Sequence, residues 1–270
     1  MSLSYSITQI TSTICELMDL PFPKDADIDF IDSVMKVFND KNIDKIDKFL
    51  FYAPDAIGKS LVKKFPNEFD KIRKLASTEV EMISVYPTKT PVCFASMLTG
   101  TLPEVHGIQS YKKNVLYQLS LFDSLVLGCN PDNVVNVAVK DSTLDLIFRD
   151  RPMEYYSEKY DKQVNDRAIQ LIENKDLDFI LVYNQEYDDS LHSTGIESPQ
   201  SIAAMKNHVQ SFIKLVKVCE TNWSGYNRAY LFAPDHGAHD DPETGKGTHG
   251  EKIPDDMEIV HFWGIYKKRD

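Results

Sequence analysis

Six strand-like runs in this chain alternate with segments whose apolar residues recur at a helical spacing. The runs at 48–54, 79–85, 133–139, 177–183, 228–233 and 258–265 predict β-strands. Several lack a clean in–out alternation, as strands covered on both faces do. Helical spacing is clearest in 199–219. There Ile202, Met205, Val209, Phe212, Val216 and Cys219 form a stripe behind Ser198 and Pro199, a capped helix start. Further helices are predicted at 7–18, 28–40, 59–76 and 161–174. This order predicts an α/β fold with a mostly parallel central sheet flanked by helices on both faces. No repeat, low-complexity tract or linker divides the chain, so one catalytic-size domain is expected over 1–270. The charged stretch 141–160, with Arg149, Arg151 and Pro152, reads as a small insertion or an ordinary connection.

Carboxylates and histidines stand just past the apolar runs. Asp55 follows the run ending at Pro54, Asp188 and His192 follow the run ending at Tyr183, and Asp235 and His236 follow the run ending at Pro234. His249 comes shortly after, between Gly247 and Gly250, a loop composition. In an open parallel sheet the strand C-termini share one edge, and ligands bind there. Three Asp and three His converging at that edge would make a two-metal site. The spacing Asp188-x-x-x-His192 suits one side of a helical turn or a tight loop. Gly237 frees the backbone to turn behind His236. Imidazole with carboxylate suits Zn²⁺ first, with Mn²⁺ the alternative and Mg²⁺ less suited. His239 competes with its neighbour His236 as a ligand. His208 reads as facing solvent or a satisfied pocket, His261 as core and His106 as fixing a turn.

A hydroxyl lies within reach in the pattern as well. Thr90 is placed to cap a helix that begins at Pro91 and stops at Gly100. Backbone N–H groups at such a start cradle a tetrahedral anion, and the helix dipole favours negative charge there. A threonine hydroxyl becomes a nucleophile when a metal activates it. Thr before Pro is most often a cap and nothing more; the metal pattern elsewhere gives Thr90 its second reading. Thr88 and Ser84 are the competing hydroxyls.

The net charge of −11 argues against a broad nucleic-acid or anionic-membrane surface, since both need clustered Lys and Arg. It leaves a small phosphate substrate open, because bound cations reverse the local field. The four cysteines, Cys15, Cys93, Cys129 and Cys219, form no C-x-x-C pair and read as free thiols in a reducing compartment. Residues 1–20 lack the basic and apolar blocks of a secretion signal, and no stretch reaches about 20 apolar residues. A cytoplasmic protein is the expectation.

Taken together, these residues resemble the alkaline phosphatase superfamily on its nucleotide pyrophosphatase/phosphodiesterase-like branch. The motifs are Tyr86-Pro87-Thr88-Lys89-Thr90, Leu98-Thr99-Gly100 with Pro103, and His106-Gly107-Ile108. Asp188-x-x-x-His192-x-x-Gly195, Asp235-His236-Gly237 and Gly247-Thr248-His249-Gly250 complete them, and the resemblance covers roughly 46–265. It implies that Asp188, His192 and His249 hold one metal and that Asp55, Asp235 and His236 hold the other. It also implies that Thr90 takes a transient phosphoryl group, with Lys89 offering charge to its oxygens. The implied activity is a metal-dependent phosphoric-ester hydrolase. A phosphomutase, a phosphonate hydrolase or a non-catalytic binding relative on the same core are the alternatives.

The chain departs from the family pattern in places. Asp55 is followed by Ala56 where the family usually has glycine, and Gln109-Ser110-Tyr111 stands where phosphodiesterases carry an asparagine, the nearest here being Asn114. There is no C/S-x-P-x-R motif of a sulfatase, and the chain has no room for a large cap. Segment 7–21 resembles a helix that usually follows the last metal histidine, which implies a circular permutation.

Overall fold

The computed structural model describes residues 4–112, 116, 118–140, 142–144 and 153–269. All six apolar runs are strands of one eight-stranded sheet. In chain order its strands are β1 (Tyr5–Ser6), β2 (Lys48–Pro54), β3 (Thr78–Ile83), β4 (Val134–Val139) and β5 (Glu154–Glu158). They continue with β6 (Phe179–Asn184), β7 (Arg228–Phe232) and β10 (Glu258–Tyr266). The spatial order is β1-β3-β10-β7-β2-β6-β4-β5. Only β10 runs against its neighbours, pairing antiparallel with both β3 and β7. The short strands β8 (His239–Asp240) and β9 (Gly247–Thr248) form a separate ribbon.

The central strands are buried on both faces, which is why their sequences do not alternate. Phe49, Phe51 and Ala53 of β2 enter one apolar layer, and Leu50 and Tyr52 enter the other. The first layer is covered by α1 (Gln9–Met18), α2 (Asp32–Asp40), α5 (Thr90–Thr99) and α7 (Leu121–Gly128). The second is covered by α3 (Lys59–Lys64), α4 (Pro66–Arg73), α8 (Asp161–Asn174) and α10 (Pro199–Asn222). The α10 stripe of Met205, Val209, Phe212 and Val216 is buried, each side chain contributing roughly 1.5–3 kcal/mol of hydrophobic stabilisation. Three further helices, α6 (Pro103–His106), α9 (Glu186–Thr194) and α11 (Pro254–Met257), lie in connections at the functional edge.

Some boundaries differ from the sequence reading. The helix expected over 59–76 is two helices, because Pro66 starts α4 and cannot continue α3. Part of the stretch 141–160 is the edge strand β5; residues 141 and 145–152, with Arg149, Arg151 and Pro152, lie outside the described residues, as does Asn114. Helix α1 packs against α2, α5 and α7, in the same apolar layer as the inner side chains Ile259, Trp263 and Ile265 of β10. No helix among the described residues is long and apolar enough to cross a membrane.

Candidate metal centre and nucleophile

Strands β7, β2 and β6 are adjacent and parallel, so their C-terminal ends open side by side. Asp55 leaves β2, Asp188 and His192 sit on α9 just after β6, and Asp235 and His236 leave β7. The chain turns sharply at each exit. Ala56 adopts φ 61°, the left-handed region that glycine would favour, so the backbone makes the turn after Asp55 without one. Gly237 does not have a positive φ. A side chain there would place Cβ 2.0 Å from the Asp255 carbonyl oxygen, so the need for glycine is close approach rather than the free turn expected.

The six candidate ligands form two clusters, Asp188/His192/His249 and Asp55/Asp235/His236, each with one donor atom per residue within 4.8 Å of the others. In the first, Asp188 Oδ1 is 3.3 Å from the Nε2 atoms of both His192 and His249. In the second, His236 Nε2 is 3.3 Å from Asp235 Oδ2 and 3.5 Å from Asp55 Oδ1. The clusters adjoin, with the His236 and His249 ring centres 4.1 Å apart.

Each imidazole donates its Nδ1–H to a backbone carbonyl. His192 bonds Gly247, His249 bonds Thr88 and His236 bonds Gly237, at 2.9, 2.7 and 2.9 Å. A neutral ring so fixed presents a bare Nε2 lone pair to the cluster. The carboxylates present bare oxygens too. Asp55 Oδ1, Asp188 Oδ1 and Asp235 Oδ2 are buried without a hydrogen-bond partner. Lone pairs facing lone pairs at 3.3–3.5 Å repel unless a proton or cation lies between them. This donor set, nitrogen with carboxylate oxygen, fits a pair of divalent cations.

The protonation tendencies carry the same message. Burial, then the nearby Asp235 and Asp188, push the Asp55 carboxyl well above its ordinary range. Burial raises Asp235 to about 8. Burial opposes ionisation of Asp188 as well, but the His192 and His249 imidazoles 3.3 Å from its Oδ1 outweigh it and hold that carboxyl low. The Asp188 contact raises His192 to about 9, whereas burial lowers His236 to about 3. Without cations, the clusters relieve their repulsion by taking up protons.

Of the three hydroxyl candidates, only Thr90 faces this centre. Its Oγ1 lies 3.4 Å from Asp55 Oδ2 and 3.3 Å from His236 Nε2. Thr88 turns instead to the His249 loop, and Ser84 donates to the Asp235 carbonyl at 2.7 Å. Thr90 is the first residue of α5 and Lys89 is the cap, one residue earlier than expected. The expected amide cradle is also smaller. Pro91 has no N–H, and the Val92 and Cys93 amides donate to the Lys89 carbonyl. Other donors stand nearby: Tyr111 interacts with the Thr90 side chain, and the Lys89 ammonium lies 6.0 Å from the Tyr111 ring centre.

The remaining histidines are bonded away from the centre, His261 through Nε2 alone. His239 pairs with Asp256 at 2.7 Å, and His261 bonds the Pro234 carbonyl. His208 accepts from the Tyr187 amide through Nε2, so its Nδ1–H donates to Tyr52, whose hydroxyl donates to Asn184. His106 accepts from the Ile108 amide and bonds Ser96, fixing its turn. Two residues near the centre carried no readable signal. Tyr183 donates to Asp55 from inside a strand, and Asp256 joins segments distant in sequence.

A mostly parallel sheet bearing two adjoining carboxylate–imidazole clusters beside a hydroxyl defines an α/β domain of the alkaline phosphatase type. Residues 53–265 match the type I phosphodiesterase / nucleotide pyrophosphatase family, and the chain belongs to it. No curated protein sequence matches the chain. Among solved structures it is similar to murine ectonucleotide pyrophosphatase / phosphodiesterase 5, an inactive threonine-to-alanine variant in complex with AMP. The identity is 18% and the TM-score 0.57, over 73% of this chain and 59% of that one. Phosphonoacetate hydrolase from Sinorhizobium meliloti 1021 in complex with phosphonoformate is similar at 14% identity and TM-score 0.53, over 72% and 56%. A 2-O GAG sulfatase is similar at 12% identity and TM-score 0.55, over 82% and 64%. These likenesses show the fold, and the chain spans less than two thirds of each neighbour's length.

Proposed function

We propose that this chain is a metal-dependent hydrolase of phosphoric esters that works through Thr90. Asp188, His192 and His249 hold one divalent cation, and Asp55, Asp235 and His236 hold the other, with Zn²⁺ the better match and Mn²⁺ the alternative. The observation that carries this reading is that two adjoining clusters of three carboxylates and three imidazoles, each carboxylate with a buried partnerless oxygen, stand with the Thr90 hydroxyl against one of them. When bound, two such cations neutralise the phosphoryl oxygens and lower the pKa of attacking oxygen groups.

The chain's own residues supply the rest. Thr90 Oγ1 loses its proton and bonds to phosphorus while the bond to the ester oxygen breaks on the opposite side and that oxygen leaves to be protonated. Water then breaks the Thr90–phosphorus bond, restoring the Thr90 hydroxyl and releasing phosphate from a monoester or a phosphomonoester from a diester. Lys89 and Tyr111 stand beside that position and offer the phosphoryl oxygens a positive charge and a hydrogen-bond donor. Desolvation at its hydroxyl first, then the nearby Asp55, Asp188 and Asp235, raises the phenol of the half-exposed Tyr111, so it stays a donor across the neutral range. The murine neighbour is inactive as a threonine-to-alanine variant and binds AMP, which supports both the nucleophile and a small phosphate ester as substrate. The net charge of −11 suits a small substrate better than a nucleic acid. All four cysteines are free and three are buried, which supports a reducing compartment.

The test is a parallel assay of bis- and mono-(nitrophenyl) phosphate with Zn²⁺ or Mn²⁺ added. Metal-dependent release of nitrophenol is expected, with Thr90→Ala inactive at unchanged metal content. A Thr90→Ala variant that keeps about a tenth or more of the wild-type rate would rule out covalent catalysis. Screening sugar phosphates for isomerisation and phosphonoacetate for cleavage separates the mutase and phosphonatase readings.

A further inference from the structure

His249 is carried by the loop that leaves the β9 strand. Gly247 and Gly250 flank it, Gly250 has φ 119°, and Glu251 and Lys252 beyond are exposed. The loop is nevertheless fastened on its inner side by a single carboxylate. Asp256, fully buried on α11, accepts from the Gly250 and Glu251 amides through Oδ2 at 2.9 and 2.8 Å. Its Oδ1 is 2.7 Å from His239 Nδ1. His239 in turn pairs with Thr248, the residue before His249, across the β8–β9 ribbon. The Thr88 hydroxyl closes the group from the other side: it accepts from the Gly250 amide at 2.9 Å and donates to the Glu251 carbonyl at 3.2 Å. The Thr88 carbonyl takes the Nδ1–H of His249 itself.

We infer that the Asp256 carboxylate and the Thr88 hydroxyl form a clamp that positions His249 and thereby sets the affinity of the Asp188/His192/His249 cation. The inference rests on the two-cation reading above. It predicts selectivity between the ions. The Asp256 side chain touches the His249 loop, Thr88 and His239. The other cluster is tied through the Asp256 backbone, whose carbonyl accepts from the Gly237 amide at 2.8 Å, and a side-chain substitution leaves that bond in place. Groups that orient a ligating histidine typically change metal affinity by about 10–100-fold when removed.

The experiment titrates Zn²⁺ into the chelator-stripped full chain against a chromophoric competitor, with bound zinc counted by mass spectrometry. Wild type is expected to take two ions and His249→Ala one. Asp256→Ala should keep one ion at wild-type affinity and bind the second about tenfold or more weakly. Asp256→Asn retains an acceptor oxygen for both amides and should stay within about threefold of wild type. If wild type takes no zinc, the two-cation reading fails and the clamp with it. If wild type takes two and folded Asp256→Ala binds both as tightly, or loses both equally, the clamp is overturned and the two-cation reading stands. Should Asp256→Ala not fold by circular dichroism, Thr88→Val breaks the same clamp with an isosteric side chain. It should then weaken the same single ion, and unchanged affinity there overturns the inference.

Discussion

The side chains at the strand ends leave Asp55 Oδ1, Asp188 Oδ1 and Asp235 Oδ2 buried without a hydrogen-bond partner from the protein. With every Nδ1–H spent on a backbone carbonyl, the cluster atoms can be quieted only by cations or by extra protons. That competition fixes a pH dependence. Asp235 is raised to about 8 and His192 to about 9, so near neutral pH the cation-free clusters hold protons that the cations must displace. Zinc affinity should therefore fall as pH drops below about 9, and binding at pH 7 should release protons into a weakly buffered solution. Competition titrations across pH 6 to 9 check this; affinity flat over that range would show that these groups do not ligate. Tyr183 sharpens the point, since it spends its one proton on Asp55 Oδ2 and leaves Oδ1 bare.

At the scale of elements, the ligands depend on turns that admit no adjustment. In Gly237→Ala the new Cβ would meet the Asp255 carbonyl at 2.0 Å, forcing apart the β7 exit and α11. A loss of about 1–3 kcal/mol in urea unfolding is expected, with weakened zinc binding because His236 must move with the turn. Wild-type stability and zinc affinity in that variant would contradict the packing argument. The strands and the two carboxylate–imidazole clusters behind them are legible because strands covered on both faces are mostly apolar, and several Asp and His just past such runs stand out against them. Other elements are not. Helix α9 has only Tyr187 and Leu191 buried, so its apolar period is too sparse to read, and the Asp188–His192 spacing alone left helix and loop equally open. Edge strand β5 is half-buried and polar, without the run that marked its neighbours. Thr90 reads from the sequence both as the helix cap and as the nucleophile candidate. Its hydroxyl is free for the centre because Lys89 takes the cap position. Asp256 was invisible for a different reason: an acidic residue in a polar stretch reads as surface until the fold brings Thr88 and His239 against it.

For the molecule as a whole, the centre draws its candidate ligands from segments beginning at Asp55 and ending at His249, with the sheet order interleaving them. Cations bound there would tie β2, β6, β7 and the β9 loop together, so their removal should be felt as global stability rather than as local disorder. At a free concentration near a thousand times the dissociation constant, each ion adds about 4 kcal/mol. For a chain of this size that is roughly 10 °C of melting temperature per ion. Chelation should lower the melting temperature accordingly, and the gap between loaded and stripped protein should widen with pH. Asp235 and His192 both have folded pKa values above their unfolded ones. The stability they lend the stripped protein is therefore complete only at low pH and is lost as pH rises through about 8 and about 9. The loaded protein, whose ligands are already deprotonated, has no such loss. Calorimetric scans at pH 6 and pH 8, with chelator and with zinc, measure both effects. A melting temperature indifferent to zinc at both pH values would mean that protons alone hold these six residues together, and that the hydroxyl beside them has no cation to act with.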